Sequence, residues 1–85
     1  MKEVETILDQ RQTEYGDAGS NFEKIGRMWG IMLEMDPIPA WKVAIMMDAF
    51  KTVRVLANPE HFDSWLDKMG YVKHGINIIS GTNQM

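Results

Sequence analysis

Two aspartates, Asp63 and Asp67, lie one helical turn apart towards the end of the sequence, and His74 continues the same helical face. Carboxylate oxygens are the ligands that Mg²⁺ prefers, so a divalent cation would turn the repulsion between these side chains into attraction. In the alternative, Asp63 favours the start of a helix and Asp67 pairs with Lys68, Lys73 or a basic residue of another helix. Spacing alone favours this alternative, because two carboxylates hold a metal weakly.

Lys51 stands between Asp48 and Arg54, at intervals of three residues, in a segment that is otherwise almost entirely apolar. One interpretation is a phosphate site, with Lys51 and Arg54 on the anion and Asp48 on a metal or positioning a base. The other is structural: these residues neutralise one another and the aspartate pair across a helix interface. Charges on so apolar a helix need partners in either case.

Tyr15 lies in the loop Tyr15-Gly16-Asp17, where its simplest role is packing, although it could also border a pocket. His61 and His74 are more typical of surface or capping groups than of ligands or bases. The sequence contains no Gly-rich phosphate loop and no H-E-x-x-H motif. Spacing therefore identifies candidate residues but no established catalytic motif.

Length, composition and net charge limit the class of protein. The chain has 85 residues, no cysteine, a hydrophobic fraction of 45% and a net charge of −3. A domain of this size without disulfides gains core by oligomerisation, so we expect a homodimer or larger homo-oligomer. The negative charge argues against a nucleic acid polymer as partner. No apolar run approaches membrane-spanning length and the N-terminus is too charged for a signal peptide, so we expect a cytoplasmic protein.

Apolar periodicity predicts an all-α fold, an antiparallel bundle of about four helices completed by homodimerisation. The predicted helices cover residues 2–14, a stretch from a Ser20-x-x-Glu23 capping box to about residue 36, residues 39–58, and a last helix that Asn58 caps. Residues 1–79 form one domain, and residues 80–85 form a polar, disordered tail. The helix at 39–58 is apolar nearly all round, so we expect it in the middle of the bundle.

Two pairs of glycines lie inside the predicted helices. Gly26 and Gly30 lie four residues apart on one face and could let another backbone approach closely. Gly70 and Gly75 interrupt the last helix, which we expect to fray or bend after Gly75. Trp65 is most simply a core or oligomer-contact residue. It belongs to the apolar repeat of this helix, whose members recur at a spacing of three to four residues: Phe62, Trp65, Leu66, Met69, Val72, Ile76 and Ile79.

An ordered set of motifs covers most of the chain: R-x-x-x-Y-G-D from Arg11, K-x-x-R from Lys51, and H-F-D-S-W-x-D-x-x-G-Y from His61. This set resembles small phage-encoded all-α domains of the nucleotide-modification-associated type, and more distantly the MazG-like NTP pyrophosphohydrolases. The latter resemblance implies Mg²⁺ held by acidic residues on two helices and cleavage of NTP to NMP and pyrophosphate. Active members carry E-x-x-E on the preceding helix, where this chain has only Asp48.

Two hypotheses follow. In the first, the domain binds a nucleotide, or a nucleotide-like phosphate, between the last two helices, and Mg²⁺-dependent hydrolysis is left open. The residues that this implies are Asp63 and Asp67 for catalysis, Asp48, Asp63 and Asp67 for the metal, and Lys51, Arg54, Tyr15 and His74 for the nucleotide. In the second, the bundle is a non-catalytic scaffold whose Met- and Trp-rich surface binds a host or phage protein.

Overall fold

Helices make up the fold of the described chain. A computed structural model describes residues 2–7 and 18–81. Residues 2–7 are helical and are called α1, and they are followed by α2 (Ala18–Leu33), α3 (Ala40–Ala57) and α4 (Phe62–Ser80). Within these ranges there is no strand, which confirms the all-α prediction. The rest of the predicted first helix, the loop with Tyr15, and residues 82–85 of the predicted tail lie outside the described residues.

α2 begins earlier than predicted. Ser20 is already the third helical residue, so Ser20 and Glu23 do not mark a capping box. The inward face of α2 carries Phe22, which is buried, and Ile25 and Trp29, which pack against the core. Three further residues of its apolar stripe are exposed: Met28, Met32 and Leu33.

The connection from α2 to α3 folds back along α2, over two glycines. The Ile38 backbone nitrogen donates to the Gly26 carbonyl oxygen at 3.1 Å. A Cβ on Gly26 would lie 1.9 Å from the Ile38 carbonyl oxygen, and one on Gly30 would lie 3.0 Å from the carbonyl oxygens of Met35 and Asp36. The predicted close approach is confirmed, and the approaching backbone is the chain's own loop.

α2 ends in a Schellman motif that uses a glutamate in place of the usual glycine. Glu34 has φ 55°, in the left-handed region. The Glu34 backbone nitrogen donates to the Ile31 carbonyl oxygen at 3.2 Å, and the Met35 backbone nitrogen donates to the Gly30 carbonyl oxygen at 2.9 Å. These two bonds satisfy carbonyls that the helix end would leave open, and they turn the chain back towards α3.

α4 begins three residues after Pro59, so the predicted helix start is wrong. Asn58 accepts a hydrogen bond at Oδ1 from the Glu60 backbone nitrogen at 3.2 Å, which stabilises a turn instead of a helix. The Trp65 Nε1 donates to the Pro59 carbonyl at 2.8 Å and fixes this turn against α4. His61 is the N-cap residue, and its Nδ1 lies 2.7 Å from the Ser64 Oγ.

α4 is unbroken as far as Ser80, and the predicted fraying after Gly75 is wrong. A Cβ on Gly75 would lie 3.5 Å from the Ala44 Cβ, an ordinary van der Waals contact. Packing against α3 therefore supports the helix at this glycine, as tertiary contacts commonly do. Gly81 then ends the helix with φ 79°.

α3 and α4 run antiparallel, as predicted for neighbouring helices. Ala44 of α3 faces Gly75 of α4, and Lys51 further along α3 meets Asp67 nearer the start of α4. This pair of helices forms the largest interface among the described elements, and α2 packs across α3. The buried core cluster consists of Phe22, Ile38, Val43, Ala44 and Ile78.

α3 is less enclosed than its apolar composition predicts. Val43 and Ala44 are buried, but Phe50, Val53 and Leu56 on the opposite side are 53%, 65% and 77% exposed. α3 lies between α2 and α4, which make few contacts with each other, so its predicted place in the middle is confirmed for the described chain. These two helices cover only its inner half, and its outer half stays open. Despite this apolar surface, no helix in the described ranges has the length and apolarity to cross a membrane.

The apolar repeat of α4 has the predicted period but faces outwards. Only Leu66 of that repeat is buried, whereas the other six residues are exposed. The inward side carries Ser64, Ile78, and the partly buried Asp67 and Tyr71. This side therefore combines apolar core residues with Asp67, whose charge is paired with Lys51 of α3.

Candidate functional site

Asp48 of α3 forms an ion pair with a lysine of α4. Lys68 of α4 places its Nζ 2.8 Å from the Asp48 Oδ1. The same ammonium donates to the Thr52 Oγ1, and the Thr52 hydroxyl donates to the Asp48 carbonyl at 3.1 Å. Both charged side chains are largely screened from solvent, at 21% and 29% exposure. The candidate metal ligand Asp48 is therefore already neutralised across the interface.

A second ion pair lies beside the first, with its lysine on α3 and its aspartate on α4. The Lys51 Nζ of α3 lies 3.0 Å from the Asp67 Oδ2 of α4, with side-chain exposures of 17% and 22%. Each helix thus contributes one lysine and one aspartate to this α3–α4 ion-pair seam. The structure brings Lys51 and Asp67 together as the structural interpretation expected, by pairing Asp67 with a basic residue of another helix.

Arg54 and Asp63 do not join this seam. Each step of three residues turns a helical position by about 60°, so a series at 48, 51 and 54 leaves the interface within two steps. Arg54 is accordingly exposed. Asp63 lies in the first turn of α4 and is also exposed, where its charge complements the helix dipole.

His74 lies away from the seam, against α2. Its ring meets the Phe22 ring edge-on, with centroids 5.9 Å apart, and the Tyr71 ring lies 6.1 Å from that of Phe22 on the same side. His74 therefore contributes to packing between α2 and α4. Tyr15, the other predicted border residue, lies outside the described residues.

The acidic residues fit a metal ion poorly. In the described parts of the chain, no group of three or more histidine, aspartate or glutamate side chains is placed to hold a cation. Asp48 and Asp67 each face a lysine ammonium across the interface, and a cation would have to displace both lysines. The predicted set of Asp48, Asp63 and Asp67 is thus divided between two ion pairs and an exposed helix start.

A groove of about 420 Å³ opens between the first half of α3 and the second half of α4. Its walls are almost wholly apolar, with Trp41 and Ile45 on one side and Tyr71 and Ile76 on the other. Asp48 contributes the charged group at one end. The volume suits a small ligand, and the apolar walls suit a ring or an aliphatic side chain.

Sequence reasoning missed the second lysine and the groove. Lys68 was considered only as a partner of Asp67, its neighbour in sequence, whereas it binds Asp48, twenty positions away. Only the antiparallel register of α3 and α4 brings the two residues together, and spacing along one helix cannot reveal it. Trp41 and Tyr71 likewise lie on different helices, and only the antiparallel packing of α3 and α4 brings them to the same groove.

The described chain is a small all-α domain whose last two helices are joined by the ion-pair seam. The chain belongs to the family described as "Domain of unknown function (DUF6378)", whose model matches residues 1–79. One similar protein is the "Gene 55 protein" of Mycobacterium phage L5, which is 37% identical over 67 residues. That match covers 79% of this chain but only 43% of the phage protein, so the chain spans less than half of this relative.

These findings support the predicted likeness to phage-encoded domains. No solved structure matches the chain. The family description and the name of the relative specify no activity. The resemblance to MazG-like enzymes therefore stays a prediction.

Proposed function

We propose that this domain is a non-catalytic helical binding module: a scaffold whose outer apolar faces contact another protein chain. We expect it to act in the cytoplasm of a phage-infected host cell, in keeping with its mycobacteriophage relative. A single observation carries the proposal, namely the apolar surface that α3 and α4 leave open.

That surface is extensive for so small a chain. Large apolar residues on both helices are more than half exposed, among them Leu56 on α3 and Ile76 and Ile79 on α4. Isolated exposed apolar residues are ordinary, but a contiguous apolar face over two helices is typical of a protein contact site. Covering it with a second protein surface would also enclose the outer half of α3, as its apolar composition favours.

The ion-pair seam supports the same proposal. Lys51–Asp67 and Asp48–Lys68 are partly buried pairs of opposite sense, so they fix the register of α3 against α4. Residues that serve as mutual partners in this way have a complete structural role. Substrate chemistry is not needed to account for them.

The Asp67→Ala variant tests whether the seam is structural. Removing the carboxylate leaves the Lys51 ammonium partly buried beside an apolar surface. We expect a loss of about 1–3 kcal/mol of unfolding free energy. For a domain of this size that corresponds to a fall in Tm of about 4–24 °C, measured by thermal melting followed by circular dichroism.

Asp63→Ala is the matched control, since it removes the same group from an exposed position in the same helix. Its Tm should change by less than half as much as that of Asp67→Ala. A Tm unmoved by Asp67→Ala, together with the loss of a nucleotide-dependent shift seen in the native protein, would contradict the binding-module proposal.

The groove favours a second candidate function, nucleotide binding. Trp41 and Tyr71 flank an apolar space that could hold a base, and Asp48 could accept hydrogen bonds from it. The exposed Arg54 is a cation on α3 available to phosphate, whereas Lys51 would first have to leave Asp67. In this candidate Mg²⁺ would have to displace Lys68 from Asp48 and Lys51 from Asp67, and for that reason we derive no hydrolytic step.

A thermal-shift screen against NTPs, dNTPs and NMPs, with and without Mg²⁺, decides between the two candidates. A ligand at about 100 times its Kd should stabilise the domain by about 2.7 kcal/mol. A Mg²⁺-dependent shift with triphosphates that Trp41→Ala abolishes would favour the nucleotide site. The binding-module proposal predicts no shift with any of them.

A further inference from the structure

Six residues of α4 form a continuous apolar stripe along its outer side. Their spacing alternates between three and four residues, which is the repeat of a coiled-coil seam. The stripe runs the length of the helix, and in the single chain each member is at least 39% exposed: Phe62, Trp65, Met69, Val72, Ile76 and Ile79. A seam of this kind requires a facing helix.

We propose that the facing helix is α4 of a second copy of this chain, packed antiparallel across a two-fold axis. This inference rests on the proposed binding function and names the partner for it. An isologous contact needs one surface that complements itself. The α4 stripe meets this requirement, and all six of its members pair in one register only.

The register follows from the symmetry of the stripe about the position between Gly70 and Tyr71. In an antiparallel pair centred there, Phe62 faces Ile79 of the other copy, Trp65 faces Ile76, and Met69 faces Val72. Each large side chain of one half thus meets a smaller aliphatic side chain, which lets the layers interdigitate. A parallel pair would set Trp65 against Trp65 and Phe62 against Phe62, crowding one end.

The area and the helix dipoles agree with this arrangement. From their exposed fractions, the six side chains present on the order of 600 Å² per chain, so a pair would bury on the order of 1,200 Å², the lower limit for a stable interface. Trp41 and Ile45 of the groove wall adjoin the C-terminal half of the stripe and extend the contact. Antiparallel helices also bring opposite dipole ends together.

Sedimentation equilibrium of the full chain over a range of concentrations measures this association. We expect a monomer–dimer equilibrium in the native protein, and a dimer weakened by about 100-fold or more in Ile76→Glu, which buries a charge in the contact. Ile31→Glu is the matched control, because Ile31 is the same residue type and is also more than half exposed, but lies on α2, off the stripe. It should leave the association unchanged.

Cysteine cross-linking tests the register, and the native chain offers a clean background because it contains no cysteine. Phe62→Cys and Ile79→Cys chains are mixed, oxidised and analysed by mass spectrometry. The antiparallel register predicts the mixed disulfide, because each residue lies about 25 Å along the axis from its own copy. Disulfides of each variant with itself, without the mixed species, would overturn the antiparallel register.

A native chain that stays monomeric at all concentrations and forms no cross-link would overturn the inference altogether. So would an Ile31→Glu variant that dissociates as strongly as Ile76→Glu. Neither result affects the Asp67→Ala melt or the nucleotide screen, which test the proposed binding function independently of the dimer.

Discussion

The left-handed backbone at Glu34 turns the chain out of α2 at a cost that a glycine would avoid. Its φ of 55° belongs to a region where a Cβ costs about 1–2 kcal/mol. Part of any gain is lost because glycine is more flexible in the unfolded state. The two Schellman hydrogen bonds nevertheless hold Glu34 in this conformation, since they satisfy the end of the helix.

Glu34→Gly should therefore stabilise the domain by about 0.5–1 kcal/mol, raising Tm by a few degrees in thermal melts. Glu34→Ala is the control, because it removes the same charge while keeping the Cβ. If alanine stabilised as much as glycine, the effect would come from the charge and not from the backbone.

Gly26 allows the α2–α3 loop to lie directly on α2. Gly26→Ala would place a methyl group 1.9 Å from the Ile38 carbonyl oxygen, so the loop must move and the hydrogen bond from Ile38 to Gly26 must lengthen. We expect a loss of about 3 kcal/mol, the upper part of the range for overpacking. Urea denaturation measures this change in unfolding free energy, and a loss below 1 kcal/mol would show that the loop can shift without strain.

At the scale of elements, the same substitution in α4 should have the opposite sign. A methyl group on Gly75 would meet the Ala44 Cβ at 3.5 Å, a normal contact, and would gain helix propensity. Gly75→Ala should raise the unfolding free energy by about 0.5–1 kcal/mol. Urea denaturation beside Gly26→Ala compares the two directly, and a destabilised Gly75→Ala would mean that α4 lies closer to α3 than the structure has it.

Helix positions were largely predictable from the sequence, since apolar period and proline mark them locally. α3 spans Ala40–Ala57, within one residue at each end of the predicted 39–58. The start of α4 was not predictable, because the side chain of Asn58 can either cap a helix or close a turn. The outcome depends on the contact between Trp65 and the Pro59 carbonyl, which is a tertiary feature.

Helix faces were harder to predict than helix positions. Period alone shows that α4 has an apolar stripe, but it does not say whether the stripe meets the chain's own core or another molecule. The inner face of α4 combines the buried Leu66 and Ile78 with Asp67 and Lys68, whose partners lie on α3. Charged residues thus take part in the interface while the apolar stripe lies on the outer side, which period alone does not predict. Lys51–Asp67 was foreseeable as an interface ion pair, whereas Asp48–Lys68 required the register.

At the scale of the whole molecule, the described chain is a bundle with one closed and one open side. The closed side contains the core cluster around Val43 and Ala44, and the ion-pair seam fixes α3 against α4. The open side is the outer surface of α3 and α4. A second copy packed along α4 would close that side and produce the homodimeric bundle expected from the size and composition of the chain.

Hydroxyl-radical footprinting of the native protein tests this account most directly, because it compares identical side chains on and off the stripe. Ile76, Ile79 and Ile31 are 62%, 68% and 73% exposed in the single chain, so they should react at similar rates if nothing covers α4. The account predicts that Ile76 and Ile79 are oxidised several-fold more slowly than Ile31 at high protein concentration, and that dilution removes the difference. Equal oxidation of all three at every concentration would contradict it.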